Sequence, residues 1–208
     1  MIYLFENPDS CPDALCEARL SQIPPWRRET VLQHIRPEDR KRSLLAFLLL
    51  QLALREEYGI TEISGFTFGA WGKPFLRDHP VHFSLSHCRD AVACAVADQP
   101  VGIDAECVIP YSPALARRVC SGAEMKMLEE SKNPAEDFIR LWTVKEAISK
   151  FEGRGISMAF EEIDPSLYQT ETWVLPGTDT VLSLCRGKTG DPLRQSSPVM
   201  RYIRADGI

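Results

Sequence analysis

Leu44–Leu54 reads LLAFLLLQLAL, an apolar run broken only by Gln51. A helix that is apolar nearly all round cannot lie on a surface, so this stretch is buried core. It is too short and too interrupted to cross a bilayer. The flanks extend the helix in both directions. Pro37 suits the first helical position, Glu38 and Asp39 suit the positive end of the dipole, and Gly59 suits the residue just past the end. The spacing therefore predicts one long central helix over Pro37–Tyr58. Arg40, Lys41 and Arg42 fall in its first turns. They fit a solvated face, and equally an anion drawn to the helix N-terminus.

Composition narrows what can surround that helix. A chain of 208 residues is one large domain or two small ones. Its net charge of −5 does not suggest a nucleic-acid partner, and any basic site must be local. The seven cysteines are scattered with no CxxC pair, which gives no zinc signature. Free thiols in a reducing cytoplasm are the expectation. MIYLFENPDS has no basic segment leading into a long apolar run, so no signal peptide and no membrane association are expected.

Along the chain, Ile2–Phe5 reads as a strand, followed by short helices over Pro12–Gln22 and Trp26–His34. GAWGKP is turn chemistry after a strand at Phe66–Phe68. His82–His87 and Ala91–Ala97 read as strands joined by a hairpin loop at Cys88–Asp90. Asp98-Gln99-Pro100 breaks the chain, which places a boundary between residues 1–100 and 101–208. The second half opens with a strand at Val101–Glu106. Helices over Pro113–Val119, Gly122–Glu130 and Pro134–Phe151 follow. Short strands near Met158–Ile163, Thr172–Leu175, Val181–Cys185 and Val199–Arg204 finish it. The pattern is α+β, in two halves of similar build.

Two stretches carry chemistry. In Phe138–Gly155, Trp142, Glu146 and Lys150 recur at i, i+4 and i+8 and share one helix face. Gly153 and Gly155 end the helix. In VGIDAE, Asp104 and Glu106 face one way on a strand and Val101, Ile103 and Ala105 the other. Two carboxylates roughly 7 Å apart along a strand repel unless a cation or basic groups lie between them. Magnesium suits such a pair, held by carboxylates, waters and substrate phosphate oxygens. Alone, D-x-E fits a solvated edge strand, and Glu146–Lys150 fits an ordinary surface pair. Zinc is less attractive, because Pro80 between His79 and His82 opposes a helical pair and no cysteine partners them. A Cys88 nucleophile is disfavoured because its neighbour His87 points to the opposite strand face.

WGKPFL, FSLSH, VGIDAE and LWTVKEAISKFEGRGI occur in that order. The set resembles the Sfp-type 4′-phosphopantetheinyl transferases, whose hallmark is G-[IV]-D followed by [FW]-x-x-K-E-[AS]-x-x-K. Gly102-Ile103-Asp104 and Trp142–Lys150 match it, and the resemblance covers about residues 24–165. It implies two α+β halves related by a pseudo-two-fold, with coenzyme A as co-substrate in the cleft between them. It implies a monomer that moves phosphopantetheine to a serine of an apo acyl or peptidyl carrier protein, releasing 3′,5′-ADP. Asp104, Glu106 and Glu146 would hold magnesium. Glu146, directly or through a water on the metal, would be the base, and Lys150 would stabilise phosphate charge. Arg27, Arg42, Ser43, Lys73, Ser86 and His87 match positions that hold the nucleotide and its 3′-phosphate. Thr30 stands where relatives can carry a second basic residue, with Arg28 able to fill in. Lys145 sits a quarter turn from Glu146, and a structural role suits it as well as a ligand role. The alternatives are a magnesium-dependent hydrolase of coenzyme A or related nucleotide pyrophosphates, and a carrier-binding module without activity.

Overall fold

The computed structural model describes residues 1–191 and 197–208. In chain order the first half contains β1 (Ile2–Glu6), α1 (Asp13–Gln22), α2 (Pro25–Leu32), α3 (Pro37–Tyr58), β2 (Phe66–Phe68), β3 (Pro74–Leu76), β4 (His82–His87) and β5 (Ala91–Ala97). The second contains β6 (Gly102–Cys107), α4 (Pro113–Ala116), α5 (Gly122–Glu130), α6 (Pro134–Glu152), β7 (Tyr168–Val174), β8 (Thr180–Lys188) and β9 (Met200–Ile203). The larger sheet runs β4-β5-β1-β9, the other main sheet runs β6-β8-β7, and β2-β3 form a small hairpin.

The α+β architecture stacks as helix, sheet, sheet, helix. On one face of the larger sheet, Tyr3, Phe5, Val92, Cys94 and Val96 pack on the leucines of α3. That helix is buried along Leu44–Leu54 apart from Leu48 and Gln51. The opposite sheet face carries Ile2, Leu4 and the alternating alanines 91, 93, 95 and 97, packed against Ile103, Ala105, Leu182 and Leu184 of the second sheet. Small alanine side chains let two sheets approach without a thick layer between them. Strand β5 is consequently buried on both faces. The long helix α6 covers the far side of the second sheet.

Three features differ from the sequence expectation. Met158–Ile163 is no strand; the chain there makes 3-10 turns at Gly155–Ser157 and Phe160–Glu162, and Phe160 packs beside Trp142 instead of in a ladder. Strand β7 starts at Tyr168, four residues before Thr172. Strand β9, although last in the chain, pairs in parallel with β1 and so belongs to the sheet of the first half. Among the described residues no helix is long and apolar enough to cross a membrane.

Of the glycines in the described residues, Gly102 is the most closely packed. A β-carbon there would lie 2.0 Å from the Ala147 carbonyl oxygen and 2.5 Å from the Phe151 amide nitrogen. Both are backbone atoms of α6 and cannot swing aside. Gly102→Ala is expected to cost roughly 2–3 kcal/mol by overpacking, a fall of about 4–12 °C in Tm for a chain of this size. Thermal unfolding checks it, and an unchanged Tm would mean that the strand and helix are not in backbone contact.

Candidate active site

The close approach at Gly102 sets the geometry of the site. Gly102, Asp104 and Glu106 share a strand face, so the glycine that admits α6 also turns both carboxylates toward that helix. From α6, the i, i+4, i+8 face brings Trp142, Glu146 and Lys150 to the same place. These five side chains line a cavity of about 410 Å³. Strand β4 contributes Leu85, Ser86 and His87, while α2 and α3 contribute Arg27 and Ser43. Both halves of the chain therefore build one cavity. Trp142 is held in place by edge-on contact with Phe138, at 5.9 Å between ring centroids.

Charge is unevenly matched here. Asp104 Oδ1 accepts hydrogen bonds from Lys150 Nζ at 2.7 Å and Ser86 Oγ at 2.8 Å. Asp104 Oδ2 is buried and has no hydrogen-bond partner among the described residues. Burial, and then the charge of Asp104, push the Glu106 carboxyl up to about 7. The same two causes raise Glu146. Three carboxylates thus share one ammonium, and an added cation would relieve the repulsion. No three His, Cys, Asp or Glu side chains among the described residues stand ready as a metal cage. Magnesium needs none, because it keeps waters and takes substrate phosphate oxygens beside one or two carboxylates. The orphaned Oδ2 and the under-neutralised glutamates fit such an ion.

The opposite side of the cavity is basic. Arg27 donates from Nη2 to the Ser43 backbone carbonyl and hydroxyl, both at 2.9 Å, and its Nε is buried without a partner among the described residues. Burial lowers its proton affinity, and no carboxylate offsets its charge among the described residues. An anion would. His87 ends β4, and its proton affinity is lowered by desolvation, then by the positive charges of Lys150 and Arg42. Thr30, in α2, donates its hydroxyl to the Trp26 carbonyl. Arg28 spends its guanidinium on the carbonyls of Leu20 and Ser21, so it does not supply the extra basic group.

Two expected nucleotide contacts are placed differently. Arg42 is ion-paired to Asp9 at 2.8 Å and lies beside Asp39. Lys73 donates to the carbonyls of Val101, Lys150 and Phe151, at 3.1, 2.6 and 3.1 Å. An ammonium has three protons, and all are used. Lys73 therefore caps the C-terminal end of α6 and ties the GAWGKP turn to the glycine exit. Burial pushes it down to about 8. Its stem also packs against Gly153, whose φ of 71° closes the helix. Lys145 faces away from the cavity, fully buried, and donates to Glu124, Val119 and Phe160. Reading by sequence missed Ser84, whose hydroxyl accepts from the Ile103 amide at 3.1 Å. The two serines spaced by one residue in FSLSH were the available signal.

Comparison with known proteins supplies the family. Residues 100–183, which span β6, α6, β7 and the first four residues of β8, match the model of the 4′-phosphopantetheinyl transferase superfamily. The chain is 34% identical over 157 residues to the 4′-phosphopantetheinyl transferase Sfp of Bacillus subtilis, covering 74% of this chain and 70% of that protein. It is 41% identical over 125 residues to the transferase psf-1 of Bacillus pumilus, covering 57% and 53% respectively. It is 30% identical over 154 residues to the transferase ffp of Bacillus subtilis, covering 72% and 69%. Likeness of this extent, 34% identity over about three quarters of the chain, means that this chain belongs to the Sfp-type 4′-phosphopantetheinyl transferases.

Proposed function

We propose that this protein transfers the 4′-phosphopantetheine group of coenzyme A to a serine hydroxyl of an apo carrier protein and releases 3′,5′-ADP. The observation that carries the reading is the single cavity in which Asp104, Glu106, Glu146 and Lys150 face Arg27 and His87. A pyrophosphate ester needs both kinds of group: cations for its oxygens, and carboxylates for a metal ion and a proton. Arg27, Ser43 and His87 bind the nucleotide phosphates, and Arg42 acts through its charge beside His87. Lys150 holds charge on the reacting phosphate from the carboxylate side. The serine oxygen attacks the phosphorus nearer the pantetheine, the bond from that phosphorus to the ADP oxygen breaks, and the serine proton passes to Glu146. Burial that raises the proton affinity of Glu146 suits it to that role. Magnesium held by Asp104, Glu106 and Glu146 would neutralise charge on the departing ADP.

Free thiols at all seven cysteines support a cytoplasmic setting. A site built entirely within one chain supports action as a monomer. For the carrier, Arg117 and Arg118 are exposed just beyond α4, and Ile109 and Met127 are exposed as well. Leu128 is core, with Leu115 and Met125 packed against it, so the arginines are the sharper contacts. Reversing both to Glu should raise the Michaelis constant for an acidic carrier several-fold and leave coenzyme A affinity unchanged. Added salt should weaken the wild type more than the variant. Unaltered carrier kinetics would move the docking surface elsewhere.

The capping role of Lys73 gives a second expectation. Lys73→Met should lower the Tm, since a hydrogen bond involving a charged group contributes about 1.5–3 kcal/mol net. It should leave the ratio of affinities for coenzyme A and dephospho-coenzyme A unchanged. Calorimetry with both ligands checks this, and a collapsed ratio would return Lys73 to the 3′-phosphate.

A hydrolase of nucleotide pyrophosphates would use the same carboxylates with water as the nucleophile. Release of 3′,5′-ADP from coenzyme A, followed with and without an apo carrier, separates the two. The transferase reading requires release that depends on the carrier. Equal release in its absence would make the protein a hydrolase.

A further inference from the structure

Strands β4 and β6 lie side by side at the edges of two different sheets, with no shared backbone ladder. The inward edge of β6 therefore has amide protons in need of acceptors. Two serine hydroxyls supply them: Ser84 Oγ accepts from Ile103 N at 3.1 Å, and Ser86 Oγ from Ala105 N at 3.2 Å. Ser86 goes further than Ser84. Its own proton is donated to Asp104 Oδ1 at 2.8 Å, and it accepts from Lys150 Nζ at 3.0 Å. A serine hydroxyl has one proton and two lone pairs. All three are occupied, and the residue is buried. Nothing remains with which to hold a phosphate.

The consequence falls on Asp104. With Oδ1 fixed by Ser86 and Lys150, the carboxylate plane is set and Oδ2 is left as the free oxygen. The same hydroxyl is anchored to the β6 backbone one residue on, so the carboxylate is referenced to the first sheet as well as to its own strand.

We propose that Ser86 is a positioning residue for Asp104, not a contact of the nucleotide: it pins one carboxylate oxygen and so presents the other to the metal ion and phosphates. This deepens the transferase reading and rests on it for the identity of the ligands. The experiment titrates manganese(II), followed by its electron paramagnetic resonance signal, into the protein with coenzyme A and no carrier. In parallel, coenzyme A binding is measured by calorimetry without metal, and steady-state kinetics are run with an apo carrier.

For Ser86→Ala, manganese affinity should fall about 5–10-fold and kcat about 10–100-fold. The Michaelis constant for coenzyme A and its metal-free affinity should stay within about two-fold. A change that weakens the metal site but spares coenzyme A binding lowers kcat and kcat/KM together. Ser86→Thr, which keeps the hydroxyl, should restore both losses. Ser84→Ala removes the neighbouring edge bond without touching the carboxylate and should leave manganese affinity unchanged. If circular dichroism shows Ser86→Ala unfolded, Ser86→Cys keeps the volume with a weak donor and should show the same split. A tenfold loss of metal-free coenzyme A affinity with manganese binding intact would make Ser86 a ligand contact and overturn the proposal. So would equal manganese losses in the Ser84 and Ser86 variants, which would reduce the effect to sheet docking, or no loss in either. A wild type with no transfer activity sinks the functional reading alone, because the manganese titration still decides the role of Ser86.

Discussion

Asp104→Asn should lower kcat/KM by at least ~10³-fold while leaving the fold unchanged. The amide keeps the volume of the buried carboxylate, and its oxygen can still accept from Ser86 and Lys150. What it replaces is Oδ2, the buried oxygen without a partner, now with an N–H donor. The cavity loses a charge and a metal ligand together. Metal stabilisation of developing phosphate charge is worth several kcal/mol, and about 4 kcal/mol is a factor of ~10³ in rate. Glu106 and Glu146 remain, but each owes part of its raised proton affinity to the charge of Asp104, so both would ionise more readily in the variant. That adjustment replaces some charge and no geometry. Turnover with an apo carrier, beside circular dichroism and Tm, checks the expectation. A folded variant with near-normal rate would remove Asp104 from the reaction.

The second large effect concerns stability. Lys145 is fully buried one residue before Glu146, and it ties together three separate segments of the chain. Its ammonium donates to Glu124 of α5 at 2.6 Å, to the Val119 carbonyl at 2.9 Å, and to the Phe160 carbonyl at 2.9 Å. The same Glu124 oxygen also accepts from the Ser121 amide in the capping box that starts α5. Lys145→Met should destabilise the protein by about 3–5 kcal/mol, the cost of breaking a buried pair from one side. The remaining exposure of Glu124 places the effect toward the lower end. In Tm this is a fall of roughly 6–20 °C. Adding Glu124→Gln should recover part of the loss, because it removes the uncompensated charge. A single variant with wild-type unfolding would mean that the pair is solvated in solution and does not lock the roll of α6.

The sequence made the elements of the site legible, but not their neighbours. Periodicity found α6 and placed Trp142, Glu146 and Lys150 on one face, since a helix fixes azimuth from spacing alone. Alternation likewise separated Asp104 and Glu106 from the core residues of β6. Neither pattern says what lies opposite. The pairing of β9 with β1 joins residues nearly two hundred positions apart. A four-residue strand with exposed Arg201 and Tyr202 announces no partner. The stretch 158–163 has the apolar content of a strand, but Phe160 is needed beside Trp142 and its carbonyl is taken by Lys145, which favours turns. Lys73 was expected at the nucleotide because it matches a family position; its hydrogen bonds to three carbonyls, which no local pattern announces, place it at the end of α6. Ser86 was visible as a residue and invisible as a junction, because its partners come from a strand and a helix of the other half.

The central claim is that the cavity moves phosphopantetheine onto a protein. Intact mass of an apo carrier protein, incubated with this chain, coenzyme A and magnesium, tests it most directly. The expected result is a mass increase of one phosphopantetheine group, absent when the acceptor serine of the carrier is replaced by alanine and absent with Asp104→Asn. A carrier of unchanged mass, with phosphopantetheine found free in solution, would contradict it.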